Sequence, residues 1–204
     1  FSKVFFILMS FFIFSKMVSK KKIFLIFLTS IIFIFATIKF NNHFYSRIND
    51  QVLNPVLTKG YSNYLKEIQH GAHRNAAKLI FKDNFYFGSG LKTFRFESIK
   101  KKYENKEYQK TSIRNSTHPH QVHWEIISET GIFGYSSFVF FFMLIFFYSI
   151  KDFLRSRNLF TLSSLLFILS TLLPIIPSGS FFTTYGATIF WINFSLLIVY
   201  KQKS

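Results

Sequence analysis

Apolar residues in this chain neither alternate with polar ones nor recur at helical spacing over most of its length; they gather into blocks. Five can be drawn, over residues 4–15, 23–40, 131–150, 159–176 and 181–200. The block at 23–40, wound as a helix at about 1.5 Å per residue, reaches ~27 Å, close to the hydrocarbon thickness of a bilayer. Lipid offers no partner to an unpaired amide, so such blocks must be helices. The pattern predicts an all-α integral membrane protein, a multi-span helical bundle. The block at 4–15 is short, and the chain opens on Phe1 inside an apolar run, so we expect a fragment lacking its N-terminal part, with the first span truncated. A signal peptide over 1–14 fits less well, because no small-x-small cleavage site follows and Lys16 and Lys20 to Lys22 come next.

The polar connections set the orientation. Residues 16–22 hold four lysines, 151–157 hold three basic residues, and the tail ends Lys201-Gln-Lys203-Ser, whereas the turn 174–180 has no charge. These alternate along the chain. The positive-inside rule puts the basic turns and the C-terminus in the cytoplasm, and the loop 41–130 and the turn 174–180 outside. The loop has 14 Lys and Arg against 8 Asp and Glu, which does not disturb this assignment, since long loops translocate largely regardless of charge. Three segments follow: 1–40 with two spans, 41–130 as an outer loop, and 131–204 with three spans and a cytoplasmic tail.

Composition adds three points. The 204 residues are 50% hydrophobic and include 31 phenylalanines, which fits a lipid-facing chain. The net charge of +16 would suit nucleic acid, but much of it flanks apolar blocks, where it orients spans, so no nucleic-acid partner is expected. Cysteine is absent, which excludes thiol chemistry and cysteine-bound zinc in these residues.

Within the loop, Tyr61, Tyr64, Leu65, Ile68, Ala72, Ala76, Leu79 and Ile80 recur at helical spacing and predict one amphipathic helix over 61–82, bent at Gly71. Gly88-Ser-Gly90 reads as a tight turn; a phosphate-cradling loop would need a preceding strand and a later Gly-Lys-Ser/Thr. The charged run Lys100 to Lys110 reads as a solvated segment. A second helix is expected from Thr117 as N-cap, with Pro119 in its first turn, running from His120 through Gly131 into the third span. That would hold His120 at a helix N-terminus, where the dipole disfavours the imidazolium and leaves a nitrogen able to accept a proton.

Three histidines stand together in His118-Pro-His120-Gln-Val-His123. A metal site formed by them with Glu125 or Glu129 lacks any Asp-x-Asp or His-Glu-x-x-His, so none is assigned. His118 and His123 can equally be interfacial polar residues. The segment from Thr117 to Gly134 resembles the signature of the O-antigen ligase and polymerase family: a His followed by Asn, Ser or Gln, nine residues, then Gly-x-x-Gly. Here His120-Gln121 is followed by nine residues and then Gly131-Ile-Phe-Gly134. The stretch Arg74 to Gly90 is similar to the family's Arg, amphipathic helix and Gly-x-Gly, and Pro177-Ser-Gly-Ser-Phe-Phe182 to what precedes its last span. The resemblance covers residues 41–200, the C-terminal half of a longer protein.

The resemblance implies an enzyme of the bacterial inner membrane, multi-pass, with a large periplasmic helical loop. It implies transfer of a glycan from undecaprenyl pyrophosphate to an acceptor sugar in lipopolysaccharide biosynthesis, without cofactor or metal. The acceptor is lipid A-core in a ligase and another carrier-linked glycan in a polymerase. His120 and Arg74 are the expected catalytic pair: His120 accepts or steers the acceptor hydroxyl proton, and Arg74 offsets the charge of the departing pyrophosphate. Arg47, Arg114, Gln121 and Trp124 are expected to bind substrate, although an arginine near a span can also serve a lipid headgroup and a tryptophan can be an interfacial anchor. The rival from another class is a non-catalytic membrane transporter or scaffold. Against a transporter, blocks three to five hold no charged residue.

Overall fold

A computed structural model describes residues 20–156, 158–173 and 178–202. Among these, every regular element is helical and no strand occurs. The helices are α1 (Lys20–Phe40), α2 (Asn42–Tyr45), α3 (Asn54–Lys59), α4 (Tyr61–Glu67), α5 (Gln69–Asp83), α6 (Phe94–Glu97), α7 (Val122–Ser156), α8 (Leu159–Thr171) and α9 (Thr184–Gln202), with a π-helical stretch Ser46–Leu53 and short 3₁₀ turns at Lys101–Tyr103 and Thr111–Ile113.

The apolar blocks map onto helices with different ends. The first expected span lies outside the described residues. The second is α1, and the third lies within α7, which is the one helix among the described residues long and apolar enough to cross a membrane by length and composition. The expected fourth span is shorter than its apolar block, since α8 ends at Thr171, and α9 carries the fifth from Thr184. Helices α7, α8 and α9 share a core of Val122, Ile126, Phe142, Leu165, Ile168 and Phe190, among others. Phe138, Phe142, Phe181, Phe190 and Phe194 meet across it edge-on or tilted, the arrangement that ring quadrupoles favour. Phe140, Met143 and Phe147 point outward, an apolar surface that suits lipid.

The loop has its own core. Ala76, Ala77 and Ile80 on one face of α5 close over Phe94 and Tyr103, with Trp124 at the edge. Burying Ile80 and Phe94 stabilises this unit by about 1.5–3 kcal/mol each. The run around Lys100–Lys110 thus has one anchored ring: Tyr103 is buried although its neighbours are exposed. The single helix expected over 61–82 is two, divided at Ile68, whose backbone is extended (φ −99°, ψ 154°). Gly71 is not the bend but its enabling residue. It lies so close under the end of α4 that a Cβ there would strike the Leu65 carbonyl.

Candidate functional site

The segment before α7 is shaped by its backbone. His120 adopts a left-handed conformation (φ 57°), which costs a non-glycine residue about 1–2 kcal/mol and stops it joining the helix. So α7 begins at Val122, and Gln121 caps it: its Oε1 accepts from Trp124 N at 2.8 Å, and its carbonyl from Glu125 N at 3.0 Å. Thr117 is not the N-cap; its Oγ1 lies 2.9 Å from His118 Nδ1, and Pro119 precedes the helix rather than starting it. The turn after α8 clamps the strained residue. Ser178 N donates to the His120 carbonyl at 2.9 Å, and Val122 N donates to Ser178 Oγ at 3.0 Å. Glu125, buried, accepts from Ser180 Oγ and from Phe181 N at 2.7 Å, fixing the same turn.

This clamp presents the His120 ring to α5. The ring stacks on His73 with centroids 5.0 Å apart, meets His70 edge-on at 5.0 Å, and lies 4.2 Å from His118. His73 is fully buried, His120 half-buried and His70 exposed. Burial, and then the neighbouring imidazoles of His118, His73 and His70, push the His120 pKa down to about 4. Burial also lowers His73, against the hydrogen bond from its Nε2 to the Ile113 carbonyl at 3.1 Å, and lowers His118. His123 stands apart from this group. Its Nδ1 meets Tyr135 Oη at 2.9 Å and its Nε2 the Leu172 carbonyl at 2.7 Å, so it ties α7 to the end of α8.

The arginines fall into three situations. Arg74 follows His73 on α5 and is exposed; its guanidinium lies over the Trp124 ring, 5.3 Å from the centroid. No carboxylate pairs with it among the described residues. Arg47 is exposed on the π-helical stretch beyond α1, whose packing is mainly against helices adjacent in sequence. Arg114 is 7% exposed, and its guanidinium donates to the carbonyls of Thr111 (2.9 Å), Ile99 (3.0 Å) and Lys100 (3.2 Å). It braces the loop that leads to His120.

A kink in α7 joins the Gly-x-Gly turn to this assembly. Gly131 sits at φ 67°, ψ −170°, and a Cβ there would meet the Tyr86 carbonyl and Gly88 N at about 2.4–2.5 Å. The interruption lets Ser89 N and Gly90 N donate to the carbonyls of Ser128 and Glu129, and Ile132 N to that of Phe85. Glu129, 2% exposed, accepts from Lys92 N (2.6 Å) and Phe94 N (3.1 Å). The turn therefore binds protein backbone, and the first glycine of the Gly-x-x-Gly is where the loop docks on the helix.

His120, Arg74, Trp124 and Gln121 thus meet at one contact between α5 and the start of α7. His70 and His73 join them without having been singled out in the sequence, and Ser178 joins them from the Pro177–Phe182 stretch, where it had been given no role of its own. The His70-x-x-His73 spacing, one face of a helix, was the signal available for the first two.

The fold is helical among the described residues, with one helix long and apolar enough to cross a membrane, and the His120 ring and Arg74 guanidinium lie where α5 meets the start of that helix. The O-antigen ligase family profile matches residues 1–139, and the chain belongs to that family of bacterial membrane proteins. The match begins upstream of residue 41, where the resemblance in sequence was first drawn, and ends within α7, so the 177–182 turn lies beyond it. Searches of curated proteins and of solved structures returned no match.

Proposed function

We propose that this chain carries the catalytic loop of a metal-independent, multi-span glycan ligase of the bacterial inner membrane, moving a glycan from undecaprenyl pyrophosphate to the sugar of lipid A-core on the periplasmic side. The supporting observation is the meeting of α5 with the start of α7, where His73 stacks on His120 and the neighbouring Arg74 lies over Trp124. As the glycosyl bond breaks, negative charge gathers on the pyrophosphate. Arg74 would contact it through two N–H groups, which suit adjacent phosphate oxygens better than a point charge does. Trp124 holds the guanidinium and offers its remaining surface to a sugar face. His120 accepts, or aligns, the proton of the attacking hydroxyl, a task for an uncharged ring. Gln121 fixes the helix start behind it. Arg47 would meet donor phosphate or lipid headgroups near the span, and Arg114 would act by holding the loop in shape.

The test uses the full-length protein in a strain deleted for it, read by lipopolysaccharide gels and membrane immunoblots. His120→Ala and Arg74→Ala each lower transfer by about 100-fold or more at unchanged protein level. Normal transfer by either variant removes that residue from the site. A deletion strain that makes core carrying a single repeat identifies a polymerase, whereas bare core with glycan stranded on the carrier identifies the ligase.

A further inference from the structure

We propose that His70, His73 and His120 form a binding site for one transition-metal ion of the zinc class. The proposal rests on the geometry alone and not on the metal-free transfer reading; an ion held here would occupy the His120 ring that transfer needs free, and so would oppose that reaction. One nitrogen from each ring lies within 4.8 Å of the others, drawn from two parts of the chain: His70 and His73 on the first turn of α5, and His120 in the strained approach to α7. Tetrahedral zinc with Zn–N bonds of about 2.0–2.1 Å needs nitrogens about 3.3 Å apart, so each would move inward by less than about 1 Å. The exposed His70 and half-buried His120 can make that adjustment and leave an entry path from solvent.

The second observation is His73. It is 0% exposed, its Nε2 meets the Ile113 carbonyl at 3.1 Å, and its Nδ1 is buried with no hydrogen-bond partner. A backbone carbonyl fixing one ring nitrogen while the other keeps a bare lone pair is the usual outer-shell arrangement of a metal-binding histidine. A histidine buried only for packing would be expected to satisfy both nitrogens. The donor set selects the ion. Three imidazoles suit zinc, copper or nickel; no carboxylate among the described residues joins the cluster, which disfavours magnesium and calcium. Three protein ligands leave a fourth position for water.

The experiment titrates Zn²⁺ into the full-length, detergent-solubilised protein after chelator treatment, by calorimetry, with the visible spectrum of Co²⁺ as a second reading. One ion per chain with a tetrahedral Co²⁺ spectrum is expected. His70→Ala, an exposed change that spares the fold, should weaken binding by at least about 100-fold, beyond the 10–100-fold typical of an outer-shell change. His43→Ala, exposed and outside the cluster, should leave it unaltered. Absence of a Zn²⁺ heat signal, or equal affinity in His70→Ala and the parent, overturns the site. Either result leaves the transfer reading intact, because the His120→Ala and Arg74→Ala assays contain no added metal.

Discussion

An imidazole that takes a proton from a sugar hydroxyl must be uncharged at working pH, and the surroundings of His120 keep it so. Burial and three neighbouring rings hold it at about 4, well below the ordinary 6.5. The acid limb of the kcat/KM profile should therefore fall near pH 4 rather than near 6.5, provided no other group limits the rate. An acid limb at 6.5 that disappears in His120→Gln would show that the ring charges like a solvated one. The same shifts bear on stability. His73, His118 and His120 all hold protons less tightly than in the unfolded chain, so falling pH charges the unfolded state first. These three rings withdraw stability as pH drops from about 6.5 toward 4, whereas the buried carboxyls of Glu125, raised to about 7, and Glu129, also raised, add stability as they take up protons. Unfolding midpoints of the detergent-solubilised parent and its His120→Gln variant across that window isolate the histidine share; a parent that loses no more stability on acidification than the variant contradicts it.

Elements are joined here by backbone close approach as much as by side chains. The kink at Gly131 lets the 85–90 turn bond to α7, and Glu129 then collects the amides of Lys92 and Phe94. Gly131→Ala should lose about 1–2 kcal/mol from the left-handed backbone alone, and more from the clash with Tyr86. Glu129→Ala strands two donors and should cost about 1–3 kcal/mol. Thermal unfolding of both variants checks this. A change for Gly131→Ala within the roughly 0.5 kcal/mol of an ordinary surface substitution would refute the docking role. The periodicity that marked 61–82 as helical was right about the helix and silent about its division. The apolar spacing runs on across the break, which shows only in the extended backbone at Ile68 and in the close approach of Gly71 to Leu65.

Across the whole molecule, the contact between Ser178 and His120 brings the uncharged turn and the polar loop to one end of the helices. The proposed topology sets that end outside the cytoplasm. The described chain has no cysteine, so single substitutions report cleanly. In the proposed orientation, a membrane-impermeant thiol reagent added to permeabilised-outer-membrane cells labels Asn115→Cys at once and Ser156→Cys only after lysis. The reverse order would place the loop in the cytosol, away from any periplasmic glycan.

The arrangement of apolar blocks, the helical class, the basic turns and the His120-Gln121 spacing to Gly131 were all legible in the sequence, because each rests on local periodicity, local charge or an interval along the chain. Arg74 and Trp124 were legible as candidates, but not as partners. The folded chain alone decided that His70 and His73, some fifty residues upstream, would meet His120, that His123 would turn away to Tyr135, and that Arg114 would spend its donors on carbonyls. Those outcomes depend on a left-handed residue and on how α5 packs against α7. Both are set by contacts between distant segments, which no window of neighbouring residues contains.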